Sequence, residues 1–108
     1  MAKSYLSYTA TLILQTIGNG YVYGFDVMDL TGLPSGTVYP ALRRLEELGY
    51  VDSKWEKHSI AQKEARPPRK YYEITKDGES VLAEAVKRYK LLEGRFTVKA
   101  TKAIRQRG

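Results

Sequence analysis

Ser35, Thr37, Tyr39, Arg43 and Arg44 stand close together in the stretch SGTVYPALRRLEELGY, from Ser35 to Tyr50. They offer hydroxyls and two guanidinium forks, with no base beside them to activate a nucleophile. That is the chemistry of recognition rather than of bond making. A guanidinium meets a phosphate or a purine edge with paired hydrogen bonds, and a hydroxyl can donate to either. A second group of donors, Lys57, Lys63, Arg66, Arg69 and Lys70, lies around Pro67 and Pro68. The rest of the inventory argues against catalysis. The 108 residues hold no cysteine and a single histidine. There is no thiolate metal site, no phosphate-binding glycine loop and no His/acid cluster at metal spacing. His58 is alone in a polar stretch, and Asp26 and Asp29 read as surface acids. The chain is therefore expected to be a non-enzyme with no cofactor and no metal.

The elements that must position these groups follow from periodicity. Val38, Leu42, Leu45 and Leu48 recur at three- and four-residue steps, so Ser35–Tyr50 reads as a helix with an apolar underside. Ser35 and Thr37 read as N-caps, Pro40 as a residue near the helix start, and Gly49 as its end. Thr37, Tyr39, Pro40, Arg43, Arg44, Glu46 and Glu47 take the opposite face. Upstream, Tyr5–Gly18 reads as a first helix with Leu6, Ala10, Ile13 and Ile17 in one stripe. After the break at Gly18-Asn19-Gly20, a short second helix runs from about Tyr23 to Leu30, with Phe25, Val27 and Met28 inward. Thr31-Gly32-Leu33-Pro34 then turns the chain into the central helix, which makes a helix-turn-helix.

Beyond Gly49 the period becomes two. Val51, Ser53 and Trp55 alternate with Asp52, Lys54 and Glu56 as a strand, and Arg69–Ile74 forms a second. Lys57–Pro68 between them reads as a polar loop, so the pair makes a wing. Trp55 is expected in the core or at a dimer face, and Tyr71 and Tyr72 in sheet packing. Thr75 caps a last helix in which Leu82, Ala85, Tyr89, Leu92 and Phe96 step as a seam, widened by Val81 and Val86. Such a stripe on so small a domain predicts pairing with a second copy, through Leu6, Ile13, Leu82, Ala85, Val86, Tyr89, Leu92 and Phe96. Arg95–Gly108 is basic, with five Lys/Arg and no acid, and reads as a tail. The expected fold is mainly α with a small β wing. It comprises a winged helix-turn-helix over 1–74, with a three-helix core and a two-stranded antiparallel wing, and a long C-terminal dimerisation helix and tail over 75–108.

Charge is uneven along the chain. Net charge is +6 with a pI near 9.5. Met1–Pro34 carries one lysine against two aspartates, whereas Thr75–Gly108 carries nine basic residues against four acidic ones. That balance favours a polyanionic partner. The longest strictly apolar run, Leu12-Ile13-Leu14, cannot cross a bilayer. With no signal-peptide layout, a soluble cytoplasmic protein is expected.

Three separated motifs occur in an order that resembles the PadR family of winged-helix transcriptional regulators, short type. They are YGFDV at Tyr23–Val27, SGTVYPALRRLEELGYV at Ser35–Val51 and RPPRKYYEIT at Arg66–Thr75. The family's wing usually reads Gly-Arg-Pro, where Ala65 precedes Arg66 here, and Lys57–Glu64 is longer than its common wing. The resemblance implies a homodimer that binds operator DNA, often as a repressor, and in some members responds to a small planar aromatic effector.

Two readings of function remain. One is a sequence-specific regulator that contacts double-stranded DNA through Ser35, Thr37, Tyr39, Pro40, Arg43, Arg44, Arg66, Arg69 and Lys70. The other is a winged-helix protein-interaction module, with Arg43 and Arg44 merely paired to Glu46 and Glu47 on a solvated face. Trp55, Tyr89 and Phe96 are candidates for a planar-ligand site, against plain interface packing.

Overall fold

The structure is a computed structural model and describes residues 6–89. Its first helix, α1 (Tyr8–Gly18), starts later than the stripe alone suggests. Ser7 fixes the start, since its Oγ accepts from the Ala10 amide at 3.0 Å. The threonines that lower helix propensity here satisfy their hydroxyls locally: Thr11 donates to the Ser7 carbonyl and Thr16 to the Leu12 carbonyl. After α1 the chain joins the sheet edge, where Val22 accepts from the Tyr72 amide at 2.9 Å and Tyr23 bridges Tyr71.

Helix α2 (Gly24–Thr31) buries Val27 but leaves Phe25 39% exposed. Phe25, expected inside, instead stacks on Tyr23, with ring centroids 5.3 Å apart. Helix α3 (Ser35–Glu47) follows. The residue before it, Pro34, occupies the cap position, and neither Ser35 nor Thr37 makes a capping bond. Both lie in the first helical turn and keep their hydroxyls available outward. Pro40 sits inside the helix, where it removes one backbone donor. Val38, Leu42 and Leu45 are buried, each contributing about 1.5–3 kcal/mol. Leu48 departs from the expected stripe and is 47% exposed. The reason is the stop: Gly49 takes a left-handed φ of 82°, and the Tyr50 and Gly49 amides bond back to Leu45 and Glu46, which turns the chain away before Leu48 can complete the face.

Strands β1 (Val51–Trp55) and β2 (Lys70–Ile74) pair antiparallel, with Val51 opposite Ile74, Ser53 opposite Tyr72 and Trp55 opposite Lys70. The segment between them is not the polar loop expected. It holds a short helix, α4 (His58–Lys63), anchored by buried Ala61. The last helix, α5, runs from residue 76 to the end of the described residues at 89. Thr75 caps it: its Oγ1 accepts from the Gly78 amide at 3.0 Å. The same hydroxyl donates to the Gly49 carbonyl at 2.7 Å, and the Thr75 amide bonds to the Tyr50 carbonyl.

The core is shared by α1, α2, α3, the sheet and α5. Ile13, Leu14, Val27, Val38, Leu42, Leu45 and Val51 are its most enclosed members, and Ala85 closes it from α5. Tyr89 donates to the Leu6 carbonyl at 2.7 Å and meets the Tyr8 ring edge-on. This corrects part of the expected pairing surface. Ile13 is 0% exposed, Ala85 1% and Leu6 8%, so these three are spent on the chain's own core. Leu82 and Tyr89 are partly covered by that same core, while Val86 keeps some exposure. Leu92 and Phe96 lie outside the described residues. No helix among the described residues is long and apolar enough to cross a membrane.

Candidate nucleic-acid interface

The exposed side of α3 carries Tyr39, Arg43 and Glu46 at helical spacing, so they form one row. Tyr39 is 44% exposed, and its ring lies over Gly24 of α2. A Cβ on Gly24 would stand 2.5 Å from its Cε1 and 2.7 Å from its hydroxyl oxygen. Only glycine at the first residue of α2 leaves room for the ring to lie there. Arg43 and Arg44 are both exposed, and neither forms a hydrogen bond or ion pair with another described residue. They do not act as a pair. Arg44 borders the groove between α3 and α1, with Leu6, Ser7, Leu48 and Tyr50. Arg43 stands on the other side, near Tyr72 of the sheet. Burial pushes the Tyr72 hydroxyl up, Glu46 and Tyr39 push it further, and Arg43 pulls it back.

Glu46 ties this row to the wing. Its carboxylate accepts from Ser53 Oγ at 2.6 Å and lies 4.0 Å from Lys70 Nζ. Lys70 in turn stands 5.9 Å from the ring centroids of both Trp55 and Tyr72, within cation–π range. The sheet face bearing Ser53, Trp55, Lys70 and Tyr72 is thus the face alongside α3.

At the base of the wing, Glu56 is 8% exposed. Arg66 grips it with two hydrogen bonds, 2.6 Å from Nη1 to Oε1 and 3.1 Å from Nη2 to Oε2. The Arg69 amide and the Tyr23 hydroxyl also donate to it, each at 3.3 Å. The Arg66 hydrogen bonds hold the Glu56 carboxyl down at about 2, against the opposing effect of its burial. Arg66, expected among the DNA-contacting cations, has its guanidinium engaged with an enclosed acid instead. Arg69 lays its guanidinium 4.7 Å from the Phe25 centroid and 6.0 Å from that of Tyr23, with its side chain at the surface. Ala65, just before Arg66, has φ of 54°. A glycine would occupy that conformation without strain.

Trp55 is not in the core. It is 66% exposed at the outer end of β1, while Tyr89 packs on Leu6 and Tyr8. The two rings have different surroundings, and Phe96 lies outside the described residues, so the expected planar-ligand site is not assembled among them. Sequence reasoning missed Glu56, Glu46 and Gly24. Glu56 had a signal, as the one acid between Lys54 and Lys63 in a run of cations. Glu46 shares a helical face with Tyr39 and Arg43. Nothing in the spacing pointed to Gly24. Among the described residues no three His, Cys, Asp or Glu gather as metal ligands.

A helix-turn-helix whose second helix is flanked by a two-stranded wing is the architecture of winged-helix DNA-binding proteins. Residues 13–84 match the sequence model of the transcriptional regulator PadR-like family, and the chain belongs to that family. Among solved structures, smu.1704 from Streptococcus mutans UA159 is 26% identical, with a TM-score of 0.68, covering 85% of this chain and 87% of its own. A PadR-like transcription factor from Bacteroides fragilis is 27% identical, with a TM-score of 0.65, covering 82% and 85%. A PadR family transcription regulator from Clostridium difficile R20291 shares the fold at 24% identity and a TM-score of 0.66, covering 84% and 99%. No curated protein matches the chain. The family is one of transcription regulators, and DNA-binding regulation is its role.

Proposed function

We propose that this chain is a repressor that binds an inverted-repeat operator as a homodimer, with α3 in the major groove. The observation that carries this reading is the exposed row on α3. Arg43 has no acid to answer to among the described residues, and Gly24 leaves room for the Tyr39 ring on the same face. In the reading, Arg43 takes a base edge, and Tyr39 takes a base edge or phosphate. Ser35, Thr37 and Pro40 line the start of the helix against the backbone, and Arg44 reaches a flanking phosphate. Arg69 and Lys70 serve phosphate from the wing, while Arg66 holds the wing in shape. Residues 75–108 supply the pairing arm, using Val86, Leu82, Tyr89, Leu92 and Phe96.

A two-fold pairing sets the recognition helices on one side of the duplex, with half-sites about 34–36 Å apart or a multiple of that. The test is selection of fragments from a random duplex pool at physiological salt, together with sedimentation of the free protein. Enriched fragments should share an inverted repeat at that spacing, the protein should sediment as a dimer at micromolar concentration, and it should lower transcription from a promoter bearing the repeat. Binding should weaken with salt at a log–log slope of about −0.9 per phosphate neutralised, which a protein partner at an apolar seam would not reproduce. Monomeric protein, or fragments without inverted symmetry, would overturn the dimer reading.

A further inference from the structure

We propose that Trp55 is part of the DNA-binding surface, packing its indole against the sugar–phosphate wall of the minor groove beside the segment read by α3. The proposal rests on the DNA-binding reading above and adds a contact of a different kind, apolar rather than ionic.

Position comes first. Trp55 shares a sheet face with Val51 and Ser53, opposite Ile74, Tyr72 and Lys70. That face changes steadily along its length. Val51 is buried, Ser53 is half-buried against Glu46 of α3, and Trp55 is 66% exposed. The indole is therefore the outward continuation of the strip that runs beside Tyr39, Arg43 and Glu46. A duplex with its major groove on Tyr39 and Arg43 presents to the outer end of that strip the sugar–phosphate backbone and the minor groove beyond it.

Chemistry comes second. Large apolar side chains at such exposure are ordinary when isolated, but this one lies among cations. Lys70 Nζ is 5.9 Å from its ring centroid, Lys57 follows it by two residues, Lys54 is paired with Glu73 on the other face of the sheet, and the neighbouring acid, Glu56, is turned inward and neutralised by Arg66. A surface that is apolar at its centre and cationic at its edge complements deoxyribose C–H groups bordered by phosphates. The indole N–H adds one donor of the right kind for a phosphate oxygen. The ring is 66% exposed and belongs neither to the buried core nor to the hydrophobics packed against it.

Trp55 is the only tryptophan, so the intact protein carries its own probe. Duplex binding is followed by anisotropy of dye-labelled DNA, and Trp55 accessibility by acrylamide quenching in the same samples. With the selected duplex bound, quenching should fall severalfold. Trp55→Ala should weaken binding to selected and unrelated duplexes alike, by roughly tenfold for removal of one aromatic side chain. Its salt slope should stay at the parent value because no charge is removed. Trp55→Phe should keep most of the affinity. Anisotropy that reports binding while Trp55 stays fully accessible, or Trp55→Ala with parental affinity, overturns the proposal and leaves the DNA-binding reading standing. Protection that appears with rising protein concentration and no DNA assigns the face to a second copy, which also overturns it. Absence of binding to any duplex sinks both.

Discussion

The exposed row of α3 and the base of the wing carry the same kind of side chain to different ends. On α3, Arg43 stands free of any described acid, although Glu46 and Glu47 are close in sequence. Glu46 instead turns to Ser53 and Lys70 of the sheet. At the wing, Arg66 is committed to Glu56, and Arg69 is laid over two aromatic rings. Counted in sequence, all are cations of one basic surface. In the fold, a cation is available to a partner only when the nearby carboxylates have been claimed by something else. One region presents charge; in the other, Arg66 is spent on Glu56 to hold a strap of chain that includes α4.

The sharpest test of the free half is Arg43→Ala. It should weaken binding to the selected duplex by about 1–3 kcal/mol and relax preference at one base position, with no fall in the unfolding midpoint. Unchanged affinity would remove Arg43 from the interface. Next is Gly24→Ala, whose methyl group would displace the Tyr39 ring. Affinity should drop by about 1 kcal/mol, and a Gly24→Ala, Tyr39→Ala double variant should bind no worse than Tyr39→Ala alone. Additive losses would show that Gly24 acts through something other than Tyr39.

The committed half should break differently. Arg66→Gln should lower the thermal midpoint yet keep the parent's salt slope, whereas removing Arg69 and Lys70 together should flatten that slope by about 0.9 for each phosphate they neutralise. A flattened slope for Arg66→Gln would place Arg66 on the DNA after all. The same acid gives a pH signature. Glu56 is held at about 2 against an ordinary 4.5, so folding favours its ionised form. Its contribution to stability is complete above about pH 4.5 and is lost as pH falls toward 2. Glu56→Gln should be less stable at neutral pH and should lose less on acidification than the parent, as read by thermal melts across that window. Smallest of all, Ala65→Gly should stabilise the protein, by up to about 1 kcal/mol, because it relieves a left-handed residue. A melt unchanged or lowered would mean that glycine's greater unfolded-state freedom outweighs the relief.

What could be read without coordinates follows the same division. Periodicity found α1, α2, α3 and both strands, because each buries a repeating face, and turn residues placed the breaks between them. It found the exposed row of α3 for the same reason, since helical spacing alone puts Tyr39 and Arg43 on one face. It failed where partners are distant in sequence. Nothing local says that Glu56 will meet both Arg66 and the Tyr23 hydroxyl, that Phe25 will leave the core to carry Arg69, or that Ile13 and Ala85 will be consumed by one chain rather than offered to another. The caps failed more simply. Pro34, which has no side-chain acceptor, took the position for which Ser35 and Thr37 were the better candidates by type.

Thr75 gives the molecule a mechanical property. One hydroxyl and one amide clasp the Gly49 and Tyr50 carbonyls in the turn just past α3, while the same hydroxyl opens α5. The chain just past α3 and the start of α5 are thus joined at one threonine, which ties the orientation of one helix to that of the other. If the chain pairs through α5 and reads DNA with α3 as proposed, the distance between the two reading helices is a gauge set at manufacture rather than an adjustable caliper, and operators whose half-sites are spread by even one base pair should be refused.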